Sequence, residues 1–269
     1  MIIRNDNITE AILGISVGDL DASSFISSVI ANNGLLDSNS IDAIVTLVAS
    51  LKSTGVWSKI KALYPFVGGT VGSCAQNLVS SRYSGTFNGS WSYSLNGVTG
   101  DRATTYMSTG IIPNSIMSYT SQHYFIYIPV GIDGSSPYEC LIGSVDGSSS
   151  GINFYLNAEG NGYLTVNEFV AGNAFSAQSQ NGAWMVNLLS GTKTLYRNGS
   201  TIGTKTGVTP TNYTLPEIWI GARNTPDANK QWSNNEISCV SIGDGLTNGE
   251  SIALYSAIQA FQTSLNREV

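Results

Sequence analysis

From Pro65 onward the chain is punctuated by Asn-Gly pairs, at Asn88, Asn96, Asn161, Asn181 and Asn198. Asn and Gly tolerate the positive φ that both central residues of a two-residue hairpin turn require. A chain marked this way is committed to short strands folded back on their neighbours. Between the pairs run short alternating segments rich in β-branched and aromatic residues. They predict strands over 104–108, 115–120, 123–130, 139–145, 152–156, 162–166, 183–189, 193–198, 217–222 and 236–242. Strands of this number and spacing point to a sandwich or jelly roll, and no fixed-period repeat supports a propeller or solenoid.

The first quarter reads differently. Residues 1–20 form an arm without periodicity, and a helical pattern starts at Asp21. Phe25, Ile26, Val29 and Ile30 share one face, and Asn33-Gly34 offers a left-handed stop. A second helix is expected after Ser40 as N-cap. Ile41, Ile44, Val45, Val48 and Leu51 form its stripe, and Gly55 ends it. Trp57, Ile60 and Leu63 predict a third short helix, broken at Tyr64-Pro65. At the other end Thr247 and Glu250 fit a capping box that opens a helix with Ile252, Tyr255, Ile258 and Phe261 as its apolar stripe. The expected organisation is an arm (1–20), a helical attachment segment (21–66) and a sandwich with a C-terminal helix (67–269).

Only 11% of residues are charged, against roughly 25% in ordinary soluble domains. The formal net charge is −6 with 12 Lys and Arg scattered along the chain. A nucleic-acid binder concentrates cations to displace phosphate counterions, so nucleic acid and anionic membranes are not expected partners. No run reaches the roughly 20 apolar residues of a membrane span, and Met1–Asn7 lacks the apolar stretch of a secretion signal. Cys74, Cys140 and Cys239 are too few and too scattered for a disulfide framework or a zinc site; they read as buried small hydrophobes, with a Cys140–Cys239 bridge left open.

Two resemblances sharpen this reading. The order Leu195-Tyr196-Arg197-Asn198-Gly199, then Ile218-Trp219-Ile220-Gly221, then Asn235–Ile242, resembles the concanavalin A-like (laminin-G-like) sandwich over roughly residues 70–260, with Asn235 where that family's pattern has Gly. The resemblance implies a mainly β, jelly-roll sandwich with a small N-terminal helical segment and a C-terminal helix. The stretches from Leu51 to Gly69 and from Ser241 to Gln262 resemble uncharacterised virion proteins of tailed phages and prophages, including crAss-like phages. That likeness implies a structural protein of a fibre, capsid appendage or tail, made in the host cytoplasm and carried on the virion. Residues 1–66 would then contact other virion proteins, in a homo-oligomer such as the trimers that fibres often form.

The chemistry points to binding. Glucanases of this fold take two carboxylates from one strand, at alternate positions. Among the acids from residue 70 onward no two are separated by two or four positions, so a glycoside hydrolase is the weaker alternative, with Glu217 and Glu236 the pair to test. His123, in an apolar strand, is the sole histidine, too little for a Ser or Cys triad or a metal cluster. The family often holds Ca²⁺, yet Asp133-Gly134, Asp146-Gly147 and Asp244-Gly245 read as turns without a dense acidic motif. Gly68-Gly69 reads as a hinge between helices and sandwich. Trp184, Tyr196 and Trp219 are expected in the core. Loop aromatics with amide and guanidinium neighbours suit a cell-surface glycan, and Trp232, Arg223, Asn224, Trp91 and Tyr93 are the candidate ligand-binding residues. A purely architectural capsid or tail component without a sugar ligand is the alternative.

Overall fold

In the computed structural model, which describes residues 18–130, 139–146, 150–155, 164–169 and 181–269, two sheets face each other. The first runs β1 (Ile60–Tyr64), β16 (Cys239–Gly243), β6 (Ser121–Ile128), β10 (Gly182–Leu189), β11 (Thr192–Arg197) and β12 (Ser200–Thr206), all antiparallel. The second runs β2 (Thr86–Asn88), β5 (Tyr106–Ser108), β13 (Trp219–Ile220), β7 (Cys140–Val145), β8 (Ser150–Tyr155) and β9 (Leu164–Phe169), with β14 (Arg223–Asn224) parallel to β7. A small third sheet joins β15 (Glu236–Ile237), β4 (Val98–Thr99) and β3 (Ser92–Tyr93).

The central strands are apolar on both sides because both sides are covered. In β6, Tyr124, Ile126 and Ile128 enter the core between the sheets, where they meet Ile142, Ile152, Phe154 and Ile220 of the second sheet. The alternate residues Phe125 and Tyr127 face a second core. Helix α1 (Leu20–Ala31) supplies Phe25, Ile26 and Val29 to it, α2 (Ser38–Ser53) Ile44, Leu47 and Leu51, and α3 (Asn248–Ser264) Leu254, Ile258 and Phe261. The helices thus roof the six-stranded sheet, and the outer face of the seven-stranded sheet is left without them.

Local signals explain most boundaries. Asp19 caps α1 through the amides of Asp21 and Ala22, and its carboxylate holds Lys52 of α2 at 2.8 Å. Gly34 N–H returns to Val29 O at 2.8 Å beside Asn33, whose φ is +56°, so the stop after α1 holds. The Thr247–Glu250 capping box forms as expected. At Asn198-Gly199 both φ values are positive and the pair turns β11 into β12. Ser190-Gly191 does the same between β10 and β11 without an Asn to announce it. All three cysteines are buried free thiols.

Several expectations are corrected. The third helix is only a single 3-10 turn (Val56–Lys59); Ile60–Tyr64 is the edge strand β1, whose apolar residues alternate between the two cores and so mimic helical spacing. The N-cap of α2 is Asp37, whose carboxylate takes the Ser40 amide at 2.8 Å. In place of a strand over 115–120 there is one helical turn, Pro113–Ile116, because Pro113 fixes a helical φ at N1. Ile30 and Ile252 lie outside their stripes, 44% and 43% exposed. Gly68 is no loose hinge: a Cβ there would stand 1.8 Å from Leu35 O, so the glycine permits a tight seam with the α1–α2 connection. The Asp133-Gly134 and Asn161-Gly162 turns lie outside the described residues.

One buried cation closes the arrangement. Arg267, 3% exposed, donates to the carbonyls of Pro65 (3.0 Å), Phe66 (2.9 Å), Leu95 (3.2 Å) and Ser238 (3.4 Å) and to Gln262 Oε1 (2.7 Å). Burial lowers its pKa to about 10, still far above neutrality. Arg267→Met strands these carbonyls in the interior, and each buried unpaired polar group costs about 1–3 kcal/mol. Urea unfolding is expected to show a loss on the order of 3 kcal/mol or more, while Arg82→Met, at an exposed stack on Tyr83, changes stability by less than about 0.5 kcal/mol.

Candidate functional site

The outer side of the seven-stranded sheet at β5 and β13 carries the candidate residues, whereas its strands β7 and β8 are buried on both faces. Pleating sends Met107 and Ile220 into the core and their neighbours Tyr106, Ser108 and Trp219 outward. Tyr106 and Trp219 stack with ring centroids 3.7 Å apart and 20° between planes, both half-exposed. Trp219 is therefore a surface residue, contrary to the core position expected for it, whereas Trp184 and Tyr196 are buried as expected. The Trp219 indole N–H donates to Glu217 Oε1 at 3.0 Å, and Glu217 Oε2 accepts from Ser108 Oγ (2.7 Å) and Gly110 N (3.0 Å). Lys230 Nζ stands 5.5 Å from the Trp219 ring centroid.

The loop 223–235 borders this pair and is fixed from several sides. Arg223, 7% exposed, donates to Asn229 O (2.8 Å from Nη2) and contacts both Asp227 oxygens at 3.2 Å. Burial opposes ionisation of Asp227, but the Asn229 amide and the Arg223 charge outweigh it and keep its pKa below the ordinary value. Buried Glu139 accepts from Ser233 Oγ, Asn234 N and Asn235 Nδ2, and pairs with Arg102 at 3.3 Å. Cys140 N and Tyr155 Oη both donate to Gln231. Asn224 Nδ2 donates to Glu217 O at 2.9 Å. Next to it opens a groove of about 440 Å³ lined by Asp146, Thr214, Leu215, Pro216, Asn224, Thr225 and Pro226.

The five residues chosen from the sequence separate accordingly. Asn224 lies in the groove wall. Trp232 is half-buried in the loop beside it. The guanidinium of Arg223 is engaged in holding the loop. Trp91 belongs to the core, edge-on to Phe87 at 5.2 Å and against Gly221, where a Cβ would come within 2.6 Å of its ring. Tyr93 also packs edge-on to Phe87, and burial pushes its phenol up to about 12. Reasoning from sequence missed Tyr106 and Lys230, placed Trp219 in the core, and named Glu217 only as a carboxylate to pair with Glu236. The alternation Trp219-out, Ile220-in was available, but the apolar run Ile218–Ile220 hid it.

Glu217 lies in the segment before β13 and Glu236 on β15 of the third sheet, where it accepts from Ser94 Oγ at 3.0 Å. His123 is fully buried between Asp244 O (2.7 Å) and Ser241 Oγ (3.0 Å). No group of three or more His, Cys, Asp or Glu among the described residues is arranged to hold a metal ion. Asp146 Oδ1 instead takes the Ser150 amide, and Asp244 pairs with Lys61.

No family profile and no characterised protein sequence matches the chain. Among solved structures, botulinum neurotoxin type C, whose cell entry depends on interaction with two ganglioside molecules, superposes with a TM-score of 0.50 at 16% identity, over 77% of this chain and 53% of its own. The binding domain of botulinum neurotoxin serotype D gives 0.49 at 13% identity, over 74% and 52%. Domain 4 of AbnA, a GH43 extracellular arabinanase from Geobacillus stearothermophilus in complex with arabinotriose, gives 0.45 at 14% identity, over 73% and 98%. The chain spans about half the length of the neurotoxin chains. The likeness to the type C neurotoxin is one of fold, and it agrees with the concanavalin A-like sandwich, N-terminal helices and C-terminal helix expected from the sequence.

Burial of His123 gives the protein a pH signature. Desolvation outweighs the pull of the Asp244 carbonyl and carboxylate and, with Lys59 and Lys61 nearby, lowers its pKa from 6.5 to about 4. Between these values the unfolded chain binds a proton that the folded chain refuses, so stability falls as pH drops from 6.5 to 4. Urea titrations should show that loss, on the order of 3 kcal/mol, and His123→Gln should flatten it. An unchanged slope in the variant refutes the assignment.

Proposed function

We propose that this chain is a non-catalytic adhesin that binds a cell-surface glycan through the outer side of its seven-stranded sheet at β5 and β13. The observation that carries this reading is the half-exposed Tyr106–Trp219 stack beside the groove that holds Asn224. Sugar rings present an apolar face and a rim of hydroxyls. An aromatic wall with a few fixed amide, carboxylate and hydroxyl groups matches that division. Leu215 and Pro216 add apolar surface, while Asn224, Asp146 and Thr214 supply polar contacts. The loop is held by Arg223, Asp227 and Glu139 before any ligand arrives, which lowers the ordering cost of binding. Both Glu217 oxygens accept hydrogen bonds at 3.0 Å or less, which supports a role in orienting Trp219 over one in cleavage.

We further assign the chain to the virion of a tailed phage, attached through its helical side, with repeated copies multiplying weak sugar contacts. The sequence likeness to phage virion proteins supports this assignment. So do Leu20, Ile30 and Leu35, which remain 83%, 44% and 65% exposed on the helical segment.

Multivalent glycan-array screening is expected to find binding that Trp219→Ala and Asn224→Ala each weaken by at least about tenfold. A blank array with multivalent wild-type protein overturns the adhesin and favours an architectural protein. Polysaccharide cleavage abolished by Glu217→Gln overturns the non-catalytic assignment.

A further inference from the structure

The helices do not cover all of the six-stranded sheet. Where Trp184, Val186, Leu188 and Leu195 point into the core between the sheets, Asn187, Leu189, Thr192, Thr194 and Tyr196 alternate to the helix side. The register sets Thr194 across from Asn187 on one side and Thr204 on the other, and Tyr196 opposite Thr201. These residues line a groove of about 350 Å³ walled by Leu246–Asn248 at the start of α3. That volume falls within the roughly 300–1,000 Å³ of small-molecule sites.

The wall is fixed. The Asn187 carboxamide both accepts from Leu246 N and donates to Leu246 O, each at 2.8 Å, and Tyr196 Oη donates to Asn248 Oδ1 at 3.2 Å. Among the described residues the hydroxyls of Ser190, Thr192, Thr194, Thr201 and Thr204 find no hydrogen-bond partner. Thr194 is the telling one: it is only 9% exposed, yet its unpartnered hydroxyl belongs to the groove lining. Its oxygen is not among the sealed interior atoms that lack a partner, so it opens on the groove, where a partner from outside can reach it.

The groove is also uncharged. No Lys, Arg, His, Asp or Glu lines it. The Glu250 carboxylate accepts from Thr247 N (2.7 Å) and from Lys59 (2.6 Å) at the start of α3, where an anion would otherwise bind. We infer that this groove is a second binding site, separate from the aromatic face and on the opposite sheet, for a neutral sugar whose hydroxyls pair with Thr194, its neighbouring threonines and Asn248. A protein with one site on each sheet can bridge two saccharides or two arms of one.

Threonine methyl NMR provides the test, since each lining threonine reports on itself. The probes are the methyl glycosides of glucose, galactose, mannose, xylose and arabinose, with inorganic phosphate and glucuronate as charged controls. At least one neutral glycoside is expected to give saturable shifts at Thr192, Thr194, Thr201 and Thr204, and the same shifts in Trp219→Ala. Thr194→Val with Thr204→Val, near-isosteric and suited to strands, should weaken that binding about tenfold. If the double variant loses its fold, Thr204→Tyr, at an exposed edge position, fills the groove and should abolish the shifts. Still threonine methyls under all five glycosides, unaltered affinity in a folded variant, or equal shifts with phosphate or glucuronate overturns the inference. Loss of shifts in Trp219→Ala, with the fold intact, shows that the two sites are not separate and overturns it as well.

Discussion

The Arg267 guanidinium is buried where four chain segments converge: the end of α3, the linker after β1, the β3–β4 turn and the residue before β16. Its acceptors are backbone carbonyls at places where the chain has left regular structure, including Phe66, a non-glycine residue at φ +39°. Backbone carbonyls at such breaks need partners inside the protein once water is excluded. One side chain just past the end of the last helix supplies them. Docking of α3 on the sheet and satisfaction of the linker are therefore one event, and the helical layer and the sandwich are coupled in stability.

That coupling decides which surfaces remain for function. With α1, α2 and α3 over the six-stranded sheet, β6, β10 and β16 lose both faces to cores and can carry almost no polar side chains outward. Their exceptions are instructive. His123 and Ser241 pair with each other, and Asn187 pairs with Leu246, so these strand polar groups come with partners. In the opposite sheet β7 and β8 are buried on both faces too, but β5 and β13 are not. Tyr106, Ser108 and Trp219 face outward there, and the loop 223–235 is fastened by Glu139 and Arg223.

Much of the architecture could be read from residue pattern alone. Turn chemistry located the β11–β12 hairpin, capping residues located α3, and the order of three short motifs indicated the sandwich. The errors share one cause: spacing alone does not say how many layers lie above a residue. Ile60–Tyr64 carries apolar side chains to two cores and so looks helical. Trp91 sits between turn signals and so looks like a loop residue, but Gly221 opens the space that lets it enter the core. Trp219 sits in an apolar run and so looks buried, although at β13 its side of the sheet is only half-buried. Arg223 looked free to meet a ligand because its partners, Asn229 and Asp227, lie in the same loop and close on it only in three dimensions.

The same point bears on how the aromatic face acts. Tyr106 and Trp219 come from strands more than a hundred residues apart in sequence, and their stacking depends on β5 and β13 being neighbours. Glu217 fixes the indole from the strand's own entry, while Ser108 and Gly110 fix Glu217 from the adjoining strand. The pair is therefore held by the sheet's register, and the groove beside it by a loop whose charges are internally compensated. The geometry of the pair and the groove is thus set by the fold itself, through strand register and loop contacts that link distant parts of the sequence.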